Sequence, residues 1–379
     1  MPSEPPGKKP SKKDEKVRVP FRRNRNTRRR VKDWAEHAHG DPRDNAAHGE
    51  RIAAKGELSR KRTIIVRSDA GPPEGLRPGI VLAVRGLYAD VDDGTRTWPC
   101  TIRRIVRTRR IQERNAVTVG DRVHFSVGTD AGAEGAIEFV EPRRGTLQRL
   151  TGKRVHTIAA NVDQAIIVSS AAEPAPKPHL IDRYIVAALY GGIAPVICMN
   201  KIDLDVAGAA ASILDRYRAL GYTVLGASAR TGAGIDELRA VFKDKESAVA
   251  GQSGVGKSSL LNAVQPGLEL KTGDIIEQTQ KGRHTTTTAR LIRLDMGGYV
   301  VDTPGIRSLD ISRVPHFEIE AYFAEFVDRV KDCKFRNCSH THEIGCAIKG
   351  AVERGEIHPD RYATYVELFE EAGRPRRSL

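Results

Sequence analysis

Residues 251–258 read Gly-Gln-Ser-Gly-Val-Gly-Lys-Ser, the spacing of a loop that wraps phosphates. Each residue type has a reason to be where it is. Gly251 and Gly256 let the backbone come close to an anion in conformations that side chains resist. The N–H groups of Gln252, Ser253, Gly254, Val255 and Gly256, with the helix opening at Lys257, make a cradle for negative charge. Lys257 is placed to reach β- and γ-phosphates, the Ser258 hydroxyl suits Mg²⁺, and Ser259 completes the nucleotide-binding run.

A base-reading element lies upstream, at Asn200-Lys201-Ile202-Asp203. The Asp203 carboxylate can accept from guanine N1–H and its exocyclic amine, a donor pair that adenine lacks. Asn200 can contact the base edge, and the stem of Lys201 can pack on the base face. Ser228 and Ala229 supply a third loop between these motifs. Downstream, Asp302-Thr303-Pro304-Gly305 follows an apolar run, as a γ-phosphate sensor should. Asp302 would hold Mg²⁺ through water, and the Gly305 N–H would touch the γ-phosphate. Between them runs Gly282-Arg283-His284-Thr285-Thr286-Thr287-Thr288, where a first switch belongs. One of its four threonines would complete the Mg²⁺ shell, and Thr286 is taken as the candidate. His284 would position the attacking water or be an exposed loop histidine. Ras-type enzymes use a Gln after the Gly305 position for that task. Ile306 stands there and cannot orient water, so slow unassisted hydrolysis is expected. In an ordinary GTPase the phosphate loop precedes the guanine loop. Here the order is inverted, which reads as a circular permutation.

A third constellation is Cys333, Cys338, His340 and Cys346. Three thiolates and an imidazole suit one tetrahedral, structural Zn²⁺, with His342 as a rival fourth ligand.

These residues need elements to hold them. Apolar runs alternate with helical stretches from Val162 onward. The strands are read at 165–168, 196–199, 223–225 and 248–250, and the helices at 179–190, 206–220 and 234–242 and from Lys257. Such alternation means a mostly parallel α/β sheet covered on both faces. Residues 291–294 and 299–301 read as a hairpin about Gly297-Gly298. Five short strands within residues 79–141 suggest a small β-barrel. Residues 76–149 hold thirteen Arg and no Lys, six of them between Arg103 and Arg114, which favours an oligonucleotide-binding barrel over a merely solvated face. Residues 316–372 read as a helical tail around the cysteine cluster.

Charge is unevenly spread. The chain carries +14, and residues 1–62, with 19 basic against 9 acidic residues, hold +10 of it. Phe21 and Trp34 are the aromatics there, too few to offset ordering entropy. A mostly disordered arm that contacts a polyanion such as RNA, or else a solubilising tail, is expected. No apolar run approaches the roughly 18 residues of a membrane span, and no signal-peptide core is present. A cytoplasmic location with no membrane partner is expected, where clustered cysteines point to metal rather than disulfides.

Taken together, the motifs at 200–203, 251–262, 282–287 and 302–305 and the Cys₃His cluster resemble the ribosome small-subunit-dependent GTPases, the RsgA (YjeQ) family of bacterial assembly factors. The resemblance covers about residues 79–370. It implies an OB-type RNA-binding barrel (76–145), a circularly permuted α/β phosphate-loop GTPase domain (155–312) and a C-terminal helical zinc domain (313–379), after the arm (1–70). It further implies a monomer that binds the 30S subunit and its 16S rRNA late in maturation. GTP hydrolysis would be stimulated by that subunit, with Mg²⁺ and Zn²⁺ as the ions. Because the motif at 302–305 is followed closely by the cysteine cluster, a γ-phosphate-driven shift could reorient the C-terminal domain directly.

Overall fold

The computed structural model describes residues 14–20, 61–67, 74–103, 106, 116–128, 134–151, 154–205, 208–268, 289–302, 311 and 314–373. The chain separates into two units, residues 1–73 and 74–379. In the first, β1 (Asp14–Pro20) and β2 (Lys61–Arg67) pair antiparallel from Asp14 opposite Arg67 to Pro20 opposite Lys61. The expectation of an arm without structure is therefore amended at these two segments. Val17, Val19, Ile64, Ile65 and Val66 supply the β-branched density that strands favour. The rest of the arm lies outside the described residues.

The second unit opens with β3 (Arg77–Arg85), β4 (Tyr88–Asp92), β5 (Thr97–Ile102), β6 (Arg122–Val127) and β7 (Gly135–Val140). The pairings β3–β4, β4–β5, β5–β7, β7–β6 and β6–β3 close a five-stranded barrel, with β5–β7 parallel and the others antiparallel. Alternate residues point inward. Val81, Ala89, Val91, Trp98, Cys100, Val123, Phe125 and Ile137 form the interior. The expected barrel is present. A hairpin of β8 (Thr146–Thr151) and β9 (Arg154–Ala160), not anticipated from the sequence, leads onward.

The sheet that follows has the order β12-β11-β10-β13-β15-β14. Its strands are β10 (Gln164–Ser170), β11 (Ala194–Asn200), β12 (Thr223–Gly226), β13 (Glu246–Ala250), β14 (Arg290–Arg293) and β15 (Tyr299–Asp302). All are parallel except β14, which turns back on β15. Helices α1 (Pro178–Tyr190) and α2 (Ala209–Ala219) cover one face. Helices α3 (Ile235–Phe242) and α4 (Lys257–Val264) cover the other. The two faces draw on alternate residues of one strand: Ala165 and Ile167 of β10 join the first core, Ile166 and Val168 the second. Every residue of β10 is buried, as a central parallel strand requires. β13, which feeds the phosphate loop, sits inside the sheet although it is the fourth of the parallel strands in chain order that reach it. That is the topology a circular permutation produces.

The barrel joins this sheet through one β14–β3 register pair, Arg290 with Ala83. Side chains reinforce the joint: Arg122 meets Glu246 at 3.2 Å, and the Tyr299 hydroxyl donates to Asp92 Oδ2 at 3.0 Å. The C-terminal part comprises a 3₁₀ turn (His316–Tyr322) and helices α5 (Ala324–Val327), α6 (Ala347–Glu353) and α7 (Pro359–Gly373). Tyr365 and Leu368 of α7 belong to the same core as α1 and α2. No helix among the described residues is long and apolar enough to cross a membrane.

Candidate functional site

The loops at the C-terminal ends of the parallel strands gather the sequence-predicted residues, as is general for open α/β sheets. β13 ends at Ala250, residues 251–256 turn, and α4 begins at Lys257. The turn demands glycine. Gly251 has φ +146°, and a Cβ there would lie 2.2 Å from the Val168 carbonyl oxygen. Gly256 has φ +90°, and its Cβ would lie 2.4 Å from Asn200 Nδ2. The Lys257 ammonium lies across the loop and donates to the Gly251 and Gln252 carbonyls, each at 2.9 Å. Ser258 and Ser259 sit half-buried in the first turn of α4. The helix N-terminus and the loop N–H groups together favour a bound anion.

The base-reading loop is tied to this cradle. Asn200 closes β11 and is only 1% exposed. Its Nδ2 donates to the Val255 carbonyl at 2.8 Å, and its Oδ1 accepts from the Ala229 N–H at 3.3 Å. The carboxamide thus joins three loops, where the sequence suggested a contact with the base edge. Lys201 adopts φ +61° and donates to the Gly254 carbonyl at 2.9 Å and to the Glu173 carbonyl. Ile202 opens the short 3₁₀ turn that carries Asp203. Asp203 Oδ1 accepts from the buried Ser228 hydroxyl, and Oδ2 accepts from Arg230 Nε at 2.9 Å and Nη2 at 2.5 Å. The Ser228 hydrogen bond first, and Arg230 second, hold the Asp203 carboxyl below its ordinary range. Asp203 is therefore an ionised group that can only accept hydrogen bonds. Chemically, this arrangement can seat phosphates at the start of α4 while offering a carboxylate to a base that carries two adjacent donors. Arg230 was missed from the sequence, although it directly follows Ser228-Ala229.

Asp302 ends β15 two strands from β10. Gly305, His284 and Thr286, expected at this site, lie outside the described residues.

The cysteine cluster is assembled. One ligand atom from each of Cys333, Cys338, His340 and Cys346 lies within 4.8 Å of the others. His340 Nδ1 is 3.5 Å from Cys333 Sγ and 3.4 Å from Cys346 Sγ, so Nδ1 is the atom that would ligate a metal. Its Nε2 is 2.8 Å from Glu320 Oε2, the carboxylate–imidazole arrangement that orients a metal-bound histidine. His342 is exposed and turned to the Thr341 hydroxyl, outside the cluster. Burial pushes the Cys338 thiol up to about 12, a cost that a bound dication reverses by taking the thiolate. Three thiols and an oriented imidazole fit a metal ion, and the loop is fastened around it: Glu343 accepts from the Ser339 N–H at 2.7 Å, and the Tyr362 hydroxyl donates to the His340 carbonyl at 2.8 Å.

A buried ionic cluster binds this module to the nucleotide-binding sheet. Arg361 of α7 donates to both oxygens of Glu325, at 2.7 and 2.9 Å, and to Asp182 Oδ1 of α1 at 2.6 Å. The Tyr217 hydroxyl of α2 donates to the same Asp182 oxygen. Arg183 and Glu371 extend the contact at its rim.

With this geometry in hand, the chain can be set beside known proteins. A family model described as RsgA GTPase matches residues 140–312. A small ribosomal subunit biogenesis GTPase RsgA from Azotobacter vinelandii is 40% identical over 325 residues, spanning 84% of this chain and 91% of that protein. One of the same description from Thermotoga maritima is 40% identical over 301 residues, spanning 78% and 96%. The crystal structure of YjeQ from Thermotoga maritima superposes with a TM-score of 0.66 at 38% identity, covering 79% of this chain and all of that one. YloQ, described as a circularly permuted GTPase, superposes with a TM-score of 0.64 at 31% identity, covering 80% and 98%.

Proposed function

Because the chain belongs to the RsgA GTPase family and is a GTP hydrolase of ribosome biogenesis, we propose that it binds the 30S subunit through 16S rRNA and leaves when GTP is hydrolysed. The observation that carries the nucleotide-binding part of this reading is the junction at Asn200. One buried carboxamide couples the phosphate loop to the Asp203–Ser228 loops, so base identity and phosphate grip form a single unit. In this reading Asp203 accepts from guanine, with Ser228 holding the carboxylate and the Lys201 stem and Ala229 flanking the base. The N–H groups of 251–256 and the Lys257 ammonium neutralise the β- and γ-phosphates. Stabilising charge that grows on transferring oxygens is the main work in phosphoryl transfer. Lys257 would exchange its two carbonyl partners for phosphate oxygens. Mg²⁺, held by Ser258 with Thr286 as the candidate second ligand and Asp302 behind a water, would supply further charge neutralisation when bound. His284 is our candidate for positioning water, since Ile306 cannot.

The barrel, at 76–145, serves as the RNA-facing module, and the Cys₃His loop holds one structural Zn²⁺. The chain works as a cytoplasmic monomer. Purified 30S and 50S subunits, titrated separately into a GTP turnover assay, test the proposal. Stimulation by 30S alone is expected. Equal turnover with and without 30S would overturn it, in favour of GTP as a purely structural ligand.

A further inference from the structure

Guanine and arginine share a chemical fragment. The edge of guanine that an aspartate reads, N1–H with the 2-amino group, is a cyclic guanidine with two parallel N–H donors. Arg230 presents the same fork, and it is on Asp203. Its Nε and Nη2 both donate to Oδ2, at 2.9 and 2.5 Å, while Ser228 engages Oδ1 from the buried side. Both donors bear on one oxygen, a charge-assisted contact stronger than a neutral hydrogen bond. The burial of the partners is asymmetric. The Asp203 side chain is 12% exposed and that of Arg230 is 72% exposed. The guanidinium therefore reaches Asp203 from the solvent side, the side from which a base would arrive, and it can swing away without disturbing a core.

We propose that Arg230 is an internal competitor of guanine, a latch that must release Asp203 before the base can bind. The proposal rests on Asp203 being the guanine-reading carboxylate. Both ligands need the solvent-facing edge of the Asp203 carboxylate, where Arg230 already covers Oδ2, so they exclude each other, whereas the Ser228 bond takes one of the two acceptor sites of Oδ1 and is compatible with either. The latch lowers guanine affinity and slows its association. It leaves adenine nucleotides untouched, because adenine has no donor pair with which to claim Asp203. An electrostatic attractor would behave oppositely: loss of its positive charge would weaken GTP and ATP alike.

The test measures association rates and equilibrium affinities of fluorescent GTP and ATP analogues for wild type, Arg230→Ala, Arg230→Lys and Asp203→Asn. Exposed ion pairs shift equilibria by about two- to fivefold, so Arg230→Ala should bind GTP faster and tighter by about that factor. Arg230→Lys, which keeps the charge but not the fork, should fall between Arg230→Ala and wild type. ATP binding should stay unchanged. The advantage of Arg230→Ala should shrink in molar salt, where the screening length falls to about 3 Å. Unchanged or weaker GTP binding by Arg230→Ala, with guanine affinity lost in Asp203→Asn, would overturn the latch and leave the base site standing. Guanine affinity retained in Asp203→Asn would overturn the base-site reading, and the latch with it.

Discussion

Replacing Arg361 by Met should loosen the module that carries the cysteine cluster from the nucleotide-binding sheet. The side chain is 2% exposed, and its partners Asp182 and Glu325 are 0% and 6% exposed. It makes three charge-assisted hydrogen bonds and packs its guanidinium 4.6 Å from the Phe323 ring centre. Met fills much of the volume but leaves two carboxylates in an apolar core with no cation. Breaking a buried pair from one side costs ~3–5 kcal/mol, against less than ~1 kcal/mol for an exposed one. At a few degrees per kcal/mol, the melting temperature followed by circular dichroism should drop by about 10 °C. Hydrogen exchange should accelerate in α7 more than in β10. The cost should also depend on pH. Burial already raises the Asp182 carboxyl, with Arg361 the largest opposing influence. Without Arg361 the folded-state value climbs further above the unfolded one. The protonated form is then favoured by folding, so stability is retained in acid and lost as pH rises. The gap to wild type should therefore be smaller in acid than at neutral pH. Replacing all three charges, as Asp182→Leu, Glu325→Leu and Arg361→Met together, should recover much of the loss. The Tyr217 hydroxyl keeps a partner in that variant, the Pro178 carbonyl at 3.1 Å. A cost under ~1 kcal/mol for Arg361→Met would refute the reasoning, because that is the range of solvated pairs.

Lys257→Ala should abolish 30S-stimulated phosphate release while leaving the melting curve intact, since its carbonyl partners lie in the loop rather than a core. Elemental analysis should find about one Zn²⁺ per chain and none in Cys346→Ser. Glu320→Gln should weaken the metal by about 10–100-fold in chelator competition, because the partner of His340 Nε2 changes. Burial, and next Asp163, push the Glu246 carboxyl from the ordinary 4.5 up to about 7, with Arg122 opposing. The folded state thus holds an extra proton in that window, and stability should fall as pH rises across it; Glu246→Gln should flatten this slope in urea titrations. Deleting residues 1–62 should make RNA affinity fall less steeply with salt, because fewer counterions are released; equal slopes would mean that the arm makes no phosphate contacts.

What could be read in the sequence was local. The phosphate loop, Asn200–Asp203 and the cysteine spacing are short runs in which a few residue types must stand at fixed separations, and the parallel sheet follows from runs of buried residues such as Ala165–Val168. What could not be read depends on partners far apart in the chain. Arg361 and Asp182 are 179 residues apart, and neither stands in a motif. Asn200 shows a subtler limit. A carboxamide carries both a donor and an acceptor, so residue type alone does not say that its groups also tie two backbone loops together. The β8–β9 hairpin was missed because its strands hold polar residues such as Gln148, Arg149, Arg154 and His156 between apolar ones, which blurs the alternation.

The Arg361 cluster also bears on how nucleotide state reaches the rest of the molecule. The short distance in sequence from Asp302 to the cysteine cluster suggests that a γ-phosphate-driven shift turns the C-terminal module as a whole. Such a turn would have to carry α7 off α1, which breaks the Arg361–Asp182 bond and opens the core that Tyr365 and Leu368, each 1% exposed, share with α1 and α2. Uncovering two such large side chains costs about 1.5–3 kcal/mol each, which together exceeds the ~1–3 kcal/mol typical of coupling between two sites. A ligand can shift an equilibrium only by its differential affinity for the two states. Coupling of ordinary size therefore leaves α1, α2 and α7 as one body, and the nucleotide acts on elements that can move without breaking it. The barrel's strand pairing with the sheet is a single register pair at β14, beside the strand that ends in Asp302, yet Ile80, Leu82 and Val119 also pack into the core that holds α1 and α2, and the Asn161 amide donates to the Gly120 carbonyl at 2.8 Å. Both flanking parts are thus held to the nucleotide-binding sheet by buried contacts, not by ion pairs alone.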